Sequence, residues 1–186
     1  VLLRRNEVWF LFGAVGGNLP DDQKRLSRFL QLLLFFSMET NLPFQLREAS
    51  LAELLWVHQR ILEFPGKASL SFYQDRLQHR LSFALVAIWE GELAGFKVGY
   101  QSELPETFYS WMGGVRAEFR GKGIATALAE EQERWAKAQG FTSVFFKTRN
   151  RFPGMIQFGI KRGFKIVDLQ PKGGVEDYRI VMQKAL

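Results

Sequence analysis

Between residues 108 and 139 the chain passes from a β-rich run, Phe108 to Val115, through Arg120-Gly121-Lys122-Gly123-Ile124-Ala125 into an amphipathic stretch. No other segment restricts the architecture as tightly. Two glycines at alternate positions let the backbone turn and let another molecule come close to it. Successive N–H groups then point outward at a helix start, where the backbone carries partial positive charge. Such a loop is a cradle for an anion, and a pyrophosphate fits it through backbone donors alone. Arg120 and Lys122 add formal charge. The stretch from Val115 to Phe164 is strongly basic, and the chain's net charge of +6 is concentrated in it.

Two common phosphate loops fail on these residues. In G-x-x-x-x-G-K-[ST] the first glycine falls on Arg116, and Gly123 replaces the Ser/Thr. In G-x-G-x-x-G the third glycine falls on Thr126, and the loop follows a late strand rather than the first. Cysteine is absent, which excludes disulfides, thiolate metal sites and a Cys nucleophile. With only His58 and His79 present, a histidine metal cage is not expected, and no metal is assigned.

Residues 43 to 48 alternate and predict a first strand. Ser50 and Glu53 form a capping box that opens a helix, with an apolar stripe running from Leu51 to Leu62 and Pro65-Gly66 ending it. His58 lies on that stripe and reads as a core histidine. A second helix is predicted from Ser71 to Arg80, with Ser71 and Gln74 as its capping pair. Phe83 to Trp89 and Leu93 to Tyr100, joined by Glu90-Gly91, predict a hairpin. Phe108 to Val115 is the next strand. A helix from Ile124 to Gln139 carries Glu130–Arg134 and Glu133–Lys137 pairs at i,i+4, and Gly140 follows it. Then come a strand from Phe141 to Thr148, a short helix from Met155 to Arg162, and two strands, Phe164 to Leu169 and Tyr178 to Lys184. This is an α/β (α+β mixed) order. It predicts one domain over 41–186, with a mixed, mostly antiparallel sheet of six to seven strands and helices on both faces.

Residues 1–40 look different and are read as an N-terminal extension, with Met38 as a candidate natural start. The alternative is a helical arm from Asp21 to Phe36. Arg4 and Arg5 before Val8 to Val15 imitate a secretory segment, but Glu7 interrupts it and no small-x-small site follows. No apolar run reaches the roughly 18 residues of a membrane span. A cytoplasmic location and no membrane partner are expected.

Arg120-x-x-Gly123-x-Ala125 fits [QR]-x-x-G-x-[GA], and with Asn150 and Gly163-Phe164 in register the chain resembles the GNAT superfamily of acetyl-CoA-dependent N-acetyltransferases. The N-x-F-x-x-M spacing of Asn150, Phe152 and Met155 is similar to that of bacterial members. The resemblance spans about 43–186. It implies acetyl-CoA as cosubstrate and an amine, on a small molecule or a protein, as acceptor. It places Val115 against the pantetheine arm and the cradle of Arg120, Gly121, Lys122, Gly123, Ile124, Ala125 and Thr126 on the diphosphate. It puts Asn150 at the pantetheine or thiol end. Many members carry a late-helix Tyr that protonates the leaving thiolate; here that position is Gly159. Tyr109 is a substitute acid, Ser110 stands behind it, and Glu106, Glu103 or Tyr109 are candidates for the base. A homodimer lies within the family's range. Two other readings compete: an inert acyl-CoA-binding module, and a basic nucleic-acid-binding domain. The second is disfavoured because Phe145, Phe146, Phe158 and Phe164 fall at expected core positions.

Overall fold

The computed structural model describes residues 4–5, 8–9, 43–64, 66 and 68–186. The chain divides into two units, Val1–Leu42 and Pro43–Leu186. In the first, Arg4–Arg5 pairs antiparallel with Val8–Trp9. The Asp21 to Phe36 arm and the Met38 start lie outside the described residues.

The second unit carries one seven-stranded sheet. Its strands are β1 (Phe44–Glu48), β2 (Ser82–Trp89), β3 (Glu92–Gln101), β4 (Thr107–Val115), β5 (Ser143–Arg149), β6 (Lys165–Gln170) and β7 (Arg179–Ala185). The helices are α1 (Leu51–His58), α2 (Leu70–Leu77), α3 (Ile124–Ala138) and α4 (Pro153–Lys161). The strand order is β1-β2-β3-β4-β5-β7-β6. Every pairing is antiparallel except β4 with β5. The β2–β3 turn places Glu90 at φ 48° and Gly91 at φ 84°. Two positive φ values in a two-residue loop match the twist of the strands they join.

Two apolar layers flank the sheet. On one face Leu54, Val57 and Tyr73, from α1 and α2, pack on Val86, Phe96 and Val98. On the other, Ile124, Leu128 and Ala136 of α3 pack with Phe83, Phe108 and Phe146. Trp135 stacks on Phe83 at 4.5 Å. His58 is a core histidine, as its place on the stripe predicts. It is buried, its Nδ1 lies 2.9 Å from the Tyr73 hydroxyl, and burial lowers its pKa.

The element order follows the sequence reading, but several local features differ. Helix α1 stops at His58, and the chain continues in tight turns that bury Ile61 and leave Leu62 exposed. Helix α2 is capped by Ser69, not Ser71; the Ser69 hydroxyl accepts from the Phe72 N–H at 3.1 Å. The i,i+4 pairs on α3 are not formed. Glu130 and Glu133 turn to Arg162 at 3.2 and 3.0 Å, and Glu133 also takes the Lys184 ammonium at 2.6 Å. Arg134 pairs with Glu131 instead. A cross-element partner that is half buried outcompetes an exposed neighbour on the same helix.

Candidate active site

The cradle forms at the start of α3. Gly121 and Gly123 adopt φ of 75° and 82°, in the left-handed region that only glycine enters freely. A Cβ at either would meet nothing within 4 Å, so the space above the loop is open. Gly123 is the N-cap and offers no side-chain oxygen. The N–H groups of Gly121, Lys122, Gly123, Ile124, Ala125 and Thr126 find no acceptor among the described residues. Six unpaired donors at a helix N-terminus, with no acid in its first turn, fit a diphosphate.

Both basic side chains of the loop are engaged elsewhere. Arg120 makes a bidentate pair with Glu63 at 2.7 and 2.8 Å, and its Nε donates to the Val115 carbonyl at 3.0 Å. The guanidinium holds the Glu63 carboxyl below its usual pKa. Arg120 thus ties the end of β4 and the turn after α1 to the cradle. The Lys122 ammonium lies over the Trp89 ring at 4.2 Å and the Phe119 ring at 5.3 Å. Only Arg120 is neutralised by a carboxylate; the Lys122 charge adds to the backbone's attraction for an anion.

Beside the cradle the sheet opens. Strands β4 and β5 pair only at Thr107–Ser143, Phe108–Val144 and Tyr109–Phe145. Beyond this point β4 continues along β3, and β5 along β7. A bulge at Ser110 and Trp111, two residues facing Gly99, marks the parting. Gly99 is obligatory here: an added Cβ would stand 2.5 Å from the Phe108 ring and 2.6 Å from the Tyr109 carbonyl. Val115 lies at the far end of the opening, paired with Gly95 and almost fully buried. Across from it, a cleft of about 560 Å³ runs between α3 and α4, lined by Thr126, Glu130, Phe158 and Arg162 among others.

Tyr109 stands where the strands part. Its ring stacks on Phe145 at 4.5 Å and meets the edge of Tyr100 at 5.3 Å. Burial raises its pKa to about 12, so it is protonated at neutral pH. Glu106 is not brought to the opening. It is exposed, its φ is 52°, and the three paired positions, roughly 10 Å of strand, separate it from the parting. Glu103 is exposed and lies 3.7 Å from Arg80. Asn150 closes β5, and its Nδ2 donates to the Val175 carbonyl at 2.8 Å. Gly163 has φ 84° past the end of α4, and Phe164 is buried edge-on to Phe146 at 5.0 Å. Gly159 faces the sheet: a Cβ there would stand 2.8 Å from the Phe146 ring and 2.9 Å from Met182.

The chemistry of cradle and parting agrees with the comparisons. A family model for the acetyltransferase (GNAT) family matches residues 49–164. The chain belongs to the GNAT acetyltransferase family. Solved structures share its fold. Ard1 from Thermoplasma volcanium superposes with a TM-score of 0.67 at 19% identity, covering 77% of this chain and 98% of that one. The ribosomal-protein-S18-alanine N-acetyltransferase from Escherichia coli gives 0.65 at 15%, covering 76% and 93%. NAA60 of Arabidopsis thaliana, in complex with a bisubstrate analogue, gives 0.62 at 18%, covering 76% and 97%. No curated protein matches by sequence. Among the described residues of this acetyltransferase, no helix is long and apolar enough to cross a membrane, and no cluster of metal-ligating side chains occurs.

One group at the opening escaped the sequence reading. Lys97 of β3 leans across Gly113, whose added Cβ would stand 3.2 Å from the Lys97 Cγ. It points away from Phe96 and Val98, toward α3. Among the described residues it forms no ion pair, and burial lowers its pKa from 10.5 to about 8. It keeps partial solvent contact. On α3, Gln132 is 1% exposed, and neither end of its amide has a partner. A lone lysine inside the alternation Phe96-Lys97-Val98 was the available signal.

Lys97→Met is expected to stabilise the apo protein by about 1 kcal/mol, since it removes an unpaired charge from the layer. The folded-state pKa is lowered, so the cost is fully present below about pH 8. Between about 8 and 10.5 the unfolded chain binds the extra proton, and the cost of Lys97 fades as pH rises. Thermal melts of both proteins from pH 7 to 10.5 should therefore converge. A constant gap would refute the buried charge.

Proposed function

We propose that this chain transfers an acetyl group from acetyl-CoA to a primary amine by direct attack in a ternary complex. The observation that carries this is the pairing of six free N–H groups at the α3 start with a sheet that parts alongside them. The diphosphate would lie on Gly121 to Thr126, with Val115 and the β4 backbone flanking the pantetheine arm. Asn150 would border the thiol end through the amide oxygen that its bond to Val175 leaves free. The thioester supplies an activated acetyl group. The chain's part is to hold it beside β4, to exclude water through the aromatic wall around Tyr109, and to manage two protons. The amine must reach the site neutral; Glu130 and Glu133, the carboxylates of the cleft beside α3, are held by Arg162 and Lys184, so its proton is assigned to solvent. Tyr109 keeps a proton to give to the departing sulfur.

The inert-module reading draws on Gly159, whose place is filled by Phe146 and Met182. Turnover decides between the two. Acetyl-CoA with an amine panel should release thiol and acetylated amine in equal amounts; thiol at the buffer rate alone would favour the module. Tyr109→Phe should lower kcat by about 10- to 100-fold with little change in KM for acetyl-CoA. An unchanged kcat removes Tyr109 from the chemistry and leaves proton delivery to water.

A further inference from the structure

The face of the opening turned away from α3 and α4 is aromatic and positively charged. Phe72 and Tyr73 of α2, Tyr100 of β3 and Trp111 of β4 form a continuous wall next to Tyr109. Trp111 lies 5.3, 5.6 and 5.8 Å from Phe72, Tyr73 and Tyr100. Cations from separate elements converge on this wall. Arg76 sits over Trp111 at 5.4 Å and Arg80 over Tyr100 at 5.0 Å. The Lys147 ammonium sits over Tyr109 at 5.6 Å and Phe145 at 5.8 Å. Arg179 of β7 stands in register with Arg149 of β5, on the same face of the sheet as Lys147.

Most of these charges are unanswered. Among the described residues Arg76, Lys147 and Arg179 form no salt bridge, and Lys147 and Arg179 are half buried. Arg80 has only Glu103, a side chain 91% exposed, at 3.7 Å. The neighbouring arginines are different: Arg149 and Arg151 share Asp177 at 3.2 and 2.5 Å. Half-buried cations without counter-ions cost free energy unless a ligand supplies the anion.

We propose that the acceptor is an amine that also carries a carboxylate, held by Lys147, Arg179 and Arg76 around Tyr109. This rests on the transferase reading above and names its substrate class. The aromatic wall covers the carbon skeleton between the two groups. The cations serve a second end. A positive field disfavours the ammonium form of a bound amine and lowers its pKa. The field thus favours the neutral amine, and the Glu103 carboxylate near this wall faces Arg80. In the transfer, the N–C bond forms as the C–S bond breaks. The amine's proton goes to water, the sulfur takes one from Tyr109, and solvent restores Tyr109. A diamine of the same length meets repulsion instead.

The test uses full-length chain and matched amines: β-alanine, propylamine and 1,3-diaminopropane, with acetyl-CoA. The expected order is β-alanine first, by at least about 10-fold in kcat/KM, and the diamine last. Lys147→Ala and Arg179→Ala should each lower the ratio of carboxylated over neutral amine about 10-fold. Preference for the neutral amine or the diamine, or a ratio untouched by both variants, overturns the proposal. A second arm separates two sources of the same chemistry. It compares free amino acids with an amidated peptide whose first residues are acidic, and the better acceptor identifies the source. Should no amine turn over while calorimetry registers coenzyme A binding, the transferase reading fails by itself. Calorimetry of β-alanine in the presence of coenzyme A then decides the charge selection. Binding weakened by Lys147→Ala sustains it, and no binding ends it.

Discussion

Gly123→Glu is expected to leave the chain folded and to weaken coenzyme A binding by at least about 100-fold. Gly123 sits at φ 82° with open space where a side chain would go. The strain of a non-glycine residue there is about 1–2 kcal/mol, which a domain of ordinary stability survives. The effect on the ligand is much larger. The new side chain occupies the volume that the diphosphate needs. Its carboxylate also faces the partial positive end of α3 and meets the phosphates with like charge. Arg120 is already paired with Glu63 and compensates little. Calorimetry with coenzyme A, alongside a thermal melt, measures both parts. Unchanged affinity in a folded variant would show that the cradle is not the diphosphate site.

Gly99→Val should destabilise the protein by about 3 kcal/mol or more, the upper range for forcing atoms into a filled layer. The clash is with the Phe108 ring and with the Tyr109 carbonyl, and backbone cannot rotate aside as a flexible side chain can. For a chain of this size the melting temperature should fall by about 6–12 °C. The same substitution pushes on the bulge at Ser110 and Trp111, so activity should fall even at temperatures where the variant is folded. A melt within about 2 °C of the parent would mean that the β3–β4 contact relaxes freely.

The order of elements was legible because strand alternation and helix capping are local signals. Ser50 with Glu53, Glu90-Gly91 and Gly140 all acted where their chemistry placed them. The cradle was legible for the same reason, since it depends on two glycines and a helix start. Long side chains were not. The contacts of Arg120 with Glu63 and of Lys122 with Trp89 join residues distant in sequence. Glu130 and Glu133 read as helix pairs and instead hold Arg162. Glu106 read as a candidate base because it stands near the substrate end of its strand. In the fold the paired segment lies between it and the parting. Arg76, Lys147 and Arg179 come from three elements that only the fold brings to one face, while Lys97 lies on the opposite face.

Among the described residues, the three residue pairs that join β4 to β5 are the sole ladder between the two halves of the sheet. A seam so short is a weak spine. Without a guest, the halves are free to breathe about it, and exchange of amide hydrogens should be fastest along its margins. A donor molecule lying in the gap would act as a missing strand and splint the two leaves together. Its departure after each turnover would loosen them again, so the same narrow seam that admits the substrate also sets how easily the spent carrier escapes.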